Sequence, residues 1–294
     1  MATHNGINWI DEQIKSILNQ FNVDVTIFVS DDNSGDGTFT YLQLLAKKNK
    51  RIVLLPKTKF LGSAAKNFYR LICDVNFKGF DYISLSDQDD YWYKDKLFNH
   101  INLLEKSGAT AVSSNVIAFW PNGYEVLIKK AQAQRKYDFL FEGPGPGCSF
   151  LLSPWLIHKV KYHILSNKFA PQLELHDWLI YSICRAYKKL WIIDSKPSLR
   201  YRQHDSNVLG ANFGIRAAMV RFDRIFNGWY RHQVNLTCKI SHSISRSKRI
   251  YIFKKLVQKK TIYSQIKLLP FAFEGRRKIS DRLVLVACIL FFIF

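Results

Sequence analysis

A chain of 294 residues with 48% hydrophobic and 22% charged side chains can bury one large core or two ordinary ones, which excludes a disordered chain. Its five cysteines are scattered, odd in number and without CxxC or Cys/His metal spacing, so a disulfide framework and a zinc site are both excluded and a reducing cytosol fits. The formal net charge is +20, but 17 of the 43 Lys and Arg and only 3 of the 23 acids lie between 214 and 282, so the positive charge belongs to the C-terminal part.

The first residues show no basic-then-apolar leader. After the turn at Asn5-Gly6, Ile10, Ile14, Ile17 and Leu18 follow helical spacing. "VDVTIFVS" then reads as a strand ending at Asp31-Asp32, followed by the turn-rich "NSGDGT" and a helix with Thr38 at its N-cap. Next come strand "RIVLLP", helix "GSAAKNFYRLICDV", strand "DYISLS", helix "KDKLFNHINLLEK" and strand "TAVSSNVIAF". Strands alternating with helices of this length predict βαβ units, hence a mainly parallel sheet flanked by helices. A glycine-proline loop, "EGPGPGCSF", precedes a more helical stretch containing "QLELHDWLIYSICRAYKK" and the short strands "LWIID" and "LRYRQH". Beyond Gly214 the chain turns helical, basic and aromatic, with Met219, Phe222, Ile225, Phe226 and Trp229 on one helical face. The apolar run Leu283 to Phe294 would reach about 18 Å as a helix, short of the ~30 Å hydrocarbon core of a bilayer.

In such sheets ligands sit beyond the carboxyl ends of the strands. Both acidic clusters, Asp31-Asp32 and Asp87-Gln88-Asp89-Asp90, fall there. Asp87 and Asp89 form a D-x-D pair that can hold Mg²⁺ or Mn²⁺ while a ligand's phosphates complete the shell, and their mutual repulsion would be relieved by a cation. The same residues also suit a solvated acidic loop. Asp31 could accept hydrogen bonds from a nucleobase or ribose, or serve only the turn. His176-Asp177-Trp178 sits in an amphipathic helix where Asp177 is either a surface residue or a general base, and His204 ends a short strand as a lone candidate ligand.

In this order, "MATHNG", "VSDDNSGDGT", "SDQDDYW", "HDW" and "YRQHDSNVLG" resemble glycosyltransferase family 2, and most of all its rhamnosyltransferase-like branch, which builds bacterial surface polysaccharides. The resemblance covers about residues 1 to 210 and implies a GT-A fold over 1–213, with a nucleotide-binding part to about 120, an acceptor part from 121, and a basic helical tail over 214–294. It implies that Thr3, Asp31, Lys66 and Asp87 meet the nucleotide and that Asp89, Asp87 and His204 attend a divalent metal. Asp177 would be the base that deprotonates the acceptor. The chemistry implied is a metal-dependent, inverting transfer from dTDP-rhamnose or a UDP-sugar to a saccharide or lipid-linked saccharide acceptor. Three departures accompany it: the family's first strand normally carries more apolar residues before "MATHNG", which implies a misassigned or shortened start, "SSN" (Ser113 to Asn115) stands where the branch often has an acid, and the C-terminal apolar run stops abruptly, which implies a shortened end.

The tail, basic and amphipathic with a short apolar end, suits the inner face of the cell membrane. A cytoplasmic, peripheral enzyme is therefore expected, without a nucleic-acid partner. The rival reading is a non-catalytic basic protein bound to membrane or nucleic acid through the tail, which the sequence pI of about 9.7 permits.

Overall fold

The computed structural model describes residues 1–204, 214–259 and 261–294. Two compact units divide the chain, and the division is not a single cut at 213. The first comprises Met1–Ala131, Gly145–Leu165 and Leu190–Ala211, and the second Gln132–Pro144, Ser166–Lys189 and Asn212–Phe294.

In the first unit, strands β1 (Ala2–Thr3), β2 (Ile27–Asp31) and β3 (Ile52–Leu54) pair in parallel, joined through helices α1 (Ile10–Leu18) and α2 (Thr38–Lys48). Helix α3 (Ala64–Asp74) leads to β4 (Ile83–Ser84), beyond which the Ser86 carbonyl accepts from Ala2 N at 3.0 Å and so sets β1 beside this strand. Then follow β5 (Tyr91–Trp92), α4 (Lys96–Ser107), β6 (Ala111–Ser114), β7 (Val116–Phe119), β8 (Glu125–Ile128), β9 (Leu151–Leu152), α5 (Pro154–Ser166), β10 (Trp191–Asp194) and β11 (Leu199–Arg202). A second ladder runs β10-β6-β9-β4, in which β9 is antiparallel to both neighbours, and a third runs β5-β11-β7-β8. Ile10, Ile14 and Ile17 of α1 bury against Ile27, Val29, Val112 and Leu151 of the strands, so the helical period of α1 is its core face.

Two local expectations change. The segment "TAVSSNVIAF" is not one strand. It breaks at Asn115, whose side chain donates to Ser195 O at 2.8 Å and accepts from Lys130 N and Ala131 N at 2.6 and 2.9 Å, so the chain leaves one ladder and enters another with its polar groups paired. Nor is Thr38 the cap of α2. Gly37 caps it at φ +94°, a left-handed conformation that favours glycine, and the Asp36 carboxylate accepts from Thr38 N and Oγ1 at 3.0 and 2.5 Å.

The second unit is helical: α6 (His176–Ala186), α7 (Gly214–Phe226), α8 (Trp229–Ser245), α9 (Lys248–Val257), α10 (Ile262–Gly275) and α11 (Ile279–Leu290). Its core is aromatic, with Phe253 centred 5.1 Å from Phe141 and 4.6 Å from Phe271. Gly275 admits no side chain, because a Cβ there would lie 2.2 Å from the Phe141 ring. The apolar face expected from Met219 to Trp229 does not persist. The chain bends at Gly228 (φ +79°), Trp229 enters the next helix, and Met219, Phe222 and Phe226 are exposed. Among the described residues, no helix is long and apolar enough to cross a membrane.

Inside the first unit, His100 of α4 is 1% exposed and both ring nitrogens lack a hydrogen-bond partner. Burial, then the charge of Lys96, lowers its pKa from 6.5 to about 3. The folded protein therefore keeps this ring neutral while the unfolded chain protonates it below pH 6.5, so the unfolded state binds more protons and stability falls as pH falls. Between pH 6.5 and 5 this residue should cost about 2 kcal/mol. Urea denaturation at the two pH values should show a loss larger by about that amount in the wild type than in His100→Leu, since His176, whose pKa burial also lowers to about 3, contributes equally to both; equal losses in both would remove His100 as a cause.

Candidate active site

The carboxyl ends of β1, β2 and β4 bring the acidic clusters together with loops that the sequence separates widely. Thr3 Oγ1 donates to Asp31 Oδ2 at 2.9 Å, while Ser34 donates to the same carboxylate through N (2.9 Å) and Oγ (2.6 Å). Asp31 is 1% exposed, so its oxygens spend their hydrogen bonds on the turn that follows β2. Its neighbour Asp32 accepts from Leu61 N and Gly62 N at 2.5 and 3.0 Å, which orders the approach to α3. Lys66 lies exposed in the first turn of that helix, whose N-cap Ser63 accepts from Lys66 N at 3.3 Å. Its side chain makes no hydrogen bond or ion pair to the acidic groups among the described residues.

Gln88, inside the acidic cluster, clamps the loop after β1. Its Oε1 accepts from His4 N and its Nε2 donates to His4 O, both at 2.8 Å. A Cβ at Gly6 would lie 2.3 Å from Gln88 Oε1, so a side chain there would displace this clamp.

His204 reaches the cluster from 115 residues away: its Nε2 lies 2.7 Å from Asp89 Oδ2. The ring stacks on Trp9 at 4.2 Å between centroids and 11° between planes. Arg202 brings it there. Its Nε donates to Asp89 O at 2.8 Å, its backbone N to Asp90 Oδ1 at 3.3 Å, and its guanidinium pairs with Glu12. The motif around Arg202-Gln203-His204 is thus stitched to the acidic loop by main-chain and side-chain bonds; its continuation, Asp205 to Gly210, lies outside the described residues.

Donor atoms of Asp87, Asp90 and Cys148 fall within 4.8 Å of one another. Asp90 and Cys148 are fully buried, and burial, then Asp89 and Asp87, holds the Asp90 carboxyl well above the usual range. Burial first, then Asp90, pushes up the Cys148 thiol. A buried neutral thiol is a soft, weak donor, a poor partner for Mg²⁺ or Mn²⁺. The oxygens that suit such an ion are those of Asp87, which is half-buried, and Asp89, 8% exposed. Lys96, 1% exposed, donates to Cys148 O at 2.5 Å and sits 3.0 Å from the Trp92 ring centre; burial pushes its pKa well down, against the pull of Asp90 and Asp87. Carboxylate crowding of this kind fits a divalent cation.

Asp177 belongs to the second unit, in the first turn of α6 and half-buried. Its Oδ1 accepts from Trp178 N at 2.7 Å. Gly143 lies beside it: a Cβ there would stand 3.8 Å from Asp177 Cγ and 3.6 Å from Trp178 N. Trp178 is tied down by its indole N–H, which donates to Phe139 O at 2.8 Å. Sequence reasoning left Gln88, Asp90 and the 138–143 segment without roles. Gln88 and Asp90 sit inside a quoted motif, but nothing local marks 138–143.

The model of the glycosyl transferase family 2 matches residues 1–150. A dTDP-rhamnosyl transferase of Shigella flexneri, RfbG, is 40% identical over 296 residues, spanning 100% of both chains. The chain belongs to glycosyl transferase family 2. It is a nucleotide-sugar glycosyltransferase, and its solved structural neighbours have the GT-A fold that the strand order above lays out. Staphylococcus aureus TarS, residues 1–349 with UDP-GlcNAc, superposes with TM-score 0.53 at 12% identity over 92% of this chain and 77% of its own. A mannosyltransferase from Pyrobaculum calidifontis, solved with GDP-Man and Mn²⁺, does so with TM-score 0.50 at 15% identity over 100% of this chain and 79% of its own.

Proposed function

We propose that this enzyme transfers rhamnose from dTDP-rhamnose, with inversion, to a saccharide or lipid-linked saccharide during surface-polysaccharide assembly. Likeness to RfbG along the whole of both chains supports the donor class. The observation that carries the diphosphate part is the Asp89–His204 contact of 2.7 Å at the end of the acidic loop. Asp87 and Asp89 would hold Mg²⁺ or Mn²⁺, which would supply positive charge as the nucleoside diphosphate departs. His204, braced by Trp9, orients the Asp89 carboxylate. Thr3, Asp31 and Lys66 belong to the nucleotide side: Thr3 and Asp31 hold the loop against which the base would rest, and Lys66 offers an exposed cation. Asp177 takes the acceptor hydroxyl proton as the new C–O bond forms at the anomeric carbon and the bond to the diphosphate breaks.

Calorimetric titration of dTDP and UDP, each with and without Mn²⁺, tests the reading. The wild type should bind dTDP more tightly than UDP and gain affinity from Mn²⁺, a gain missing in Asp89→Ala. Tighter UDP binding would replace the donor with a UDP-hexose. No binding of either nucleotide by the folded wild type would defeat the proposal.

A further inference from the structure

The outward side of two helices in the second unit carries chemistry that sugar transfer does not use. In α10, Leu268, Phe271 and Ala272 are buried, while Ile262, Tyr263, Ile266, Pro270 and Phe273 recur every three or four residues on the exposed side. Ile262, Tyr263 and Ile266 are 69%, 68% and 57% exposed. Helix α11 repeats the plan: Leu285, Cys288 and Ile289 are buried, and Ile279, Leu283, Ala287 and Leu290 follow the same spacing in the open. A second apolar stripe on a helix already buried along the first adds nothing to the fold and marks an interaction surface.

Cations border it. Lys267 Nζ lies 5.7 Å from the Tyr263 ring centre, and Lys259 and Lys278 are exposed just before the two helices begin. On α9, Lys254 and Lys255 stand 4.9 and 5.6 Å from the Tyr251 ring centre. The acids nearest in sequence are already engaged, Glu274 with Arg249 and Asp281 with Arg276.

We propose that this face docks on an anionic lipid bilayer, with α10 and α11 lying in the interface, their apolar stripes among the acyl chains and the lysines at the lipid phosphates. Charge selects the occupant: two copies of the chain meeting through this face would oppose lysine to lysine, with Glu274 and Asp281 already paired within their own chain. An anionic leaflet meets both the apolar and the cationic parts. The inference is independent of the donor sugar, and it puts the enzyme on the inner face of the cell membrane, where a lipid-linked acceptor would be presented.

Sedimentation of the full chain with vesicles is the test. The wild type should co-sediment with phosphatidylcholine vesicles containing phosphatidylglycerol, and little with phosphatidylcholine alone. Lys255→Ala, Lys259→Ala and Lys267→Ala combined should weaken binding about a hundredfold, and Ile262→Ser, Ile266→Ser and Phe273→Ser combined about tenfold or more. Both variants should keep the wild-type circular dichroism, melting temperature and nucleotide affinity. Unchanged vesicle binding in the folded serine variant would overturn the proposal. So would a wild-type dimer that the serine variant converts to monomer, which would assign the face to a second copy, or failure of the wild type to bind anionic vesicles.

Discussion

Arg277→Met should cost the protein about 3 kcal/mol of stability, and up to about 5 if the site cannot relax. The Arg277 side chain is 1% exposed and that of Asp138 is 0%, at an N–O distance of 3.2 Å. Arg277 also donates to Gly143 O at 2.5 Å and, through its backbone N, to Glu142 Oε1 at 2.7 Å. Burial alone would lower its pKa, yet Glu142, Tyr181 and Asp138 hold it above the ordinary value. Methionine fills similar space but leaves Asp138 with Arg185, at 3.1 Å, the Tyr181 hydroxyl, at 2.9 and 3.0 Å, and the Arg135 backbone N–H, at 3.4 Å, to offset its buried charge. Urea denaturation followed by tryptophan fluorescence measures the loss; a change below about 1 kcal/mol would mean that the pair behaves like a surface salt bridge. Arg277→Lys should lose less, since it keeps the charge but not the fork that reaches Asp138 and Gly143 together. Through this clamp the C-terminal helices hold the 138–143 segment beside Asp177, so the helices beyond residue 214 share one unit with the proposed base as well as carrying a candidate membrane face.

Asp177→Asn should lower kcat by about 10²–10⁴, the usual worth of a general base, while dTDP affinity and melting temperature stay at wild-type values. The amide oxygen can still accept from Trp178 N, as Asp177 Oδ1 does at 2.7 Å, so that bond at the start of α6 survives while the proton acceptor is lost. Initial rates with saturating donor, together with a dTDP titration, separate the two effects. A kcat within about threefold of wild type would assign the proton to another group, because a side chain that only shapes the turn is not rate-determining.

Much of the first unit's frame was legible in the chain itself. The 3.6-residue period of Ile10, Ile14 and Ile17 and the β-branched run ending at Asp31 are local signals, and both elements form where that pattern puts them. The break at Asn115 was not legible, because an apolar run reads as one strand until a side chain is found satisfying three backbone groups from elsewhere. Thr38 was misread for a related reason: Asp, Gly and Thr all suit a cap, and the left-handed geometry of Gly37 decides among them.

The sequence by itself determined the alternation of strands and helices, the acidic residues at strand ends and the segregation of positive charge beyond residue 214, since each depends on side chains within a few positions of one another. Only the tertiary structure decided that His204 meets Asp89, that Gln88 grips the His4 backbone, and that residues 132–144 and 166–189 join the C-terminal helices in one unit. It also decided which apolar residues of α10 and α11 face outward. Those outcomes depend on contacts across tens to more than a hundred residues, whose closure is set by how the whole core packs and which leave no periodic trace in the chain.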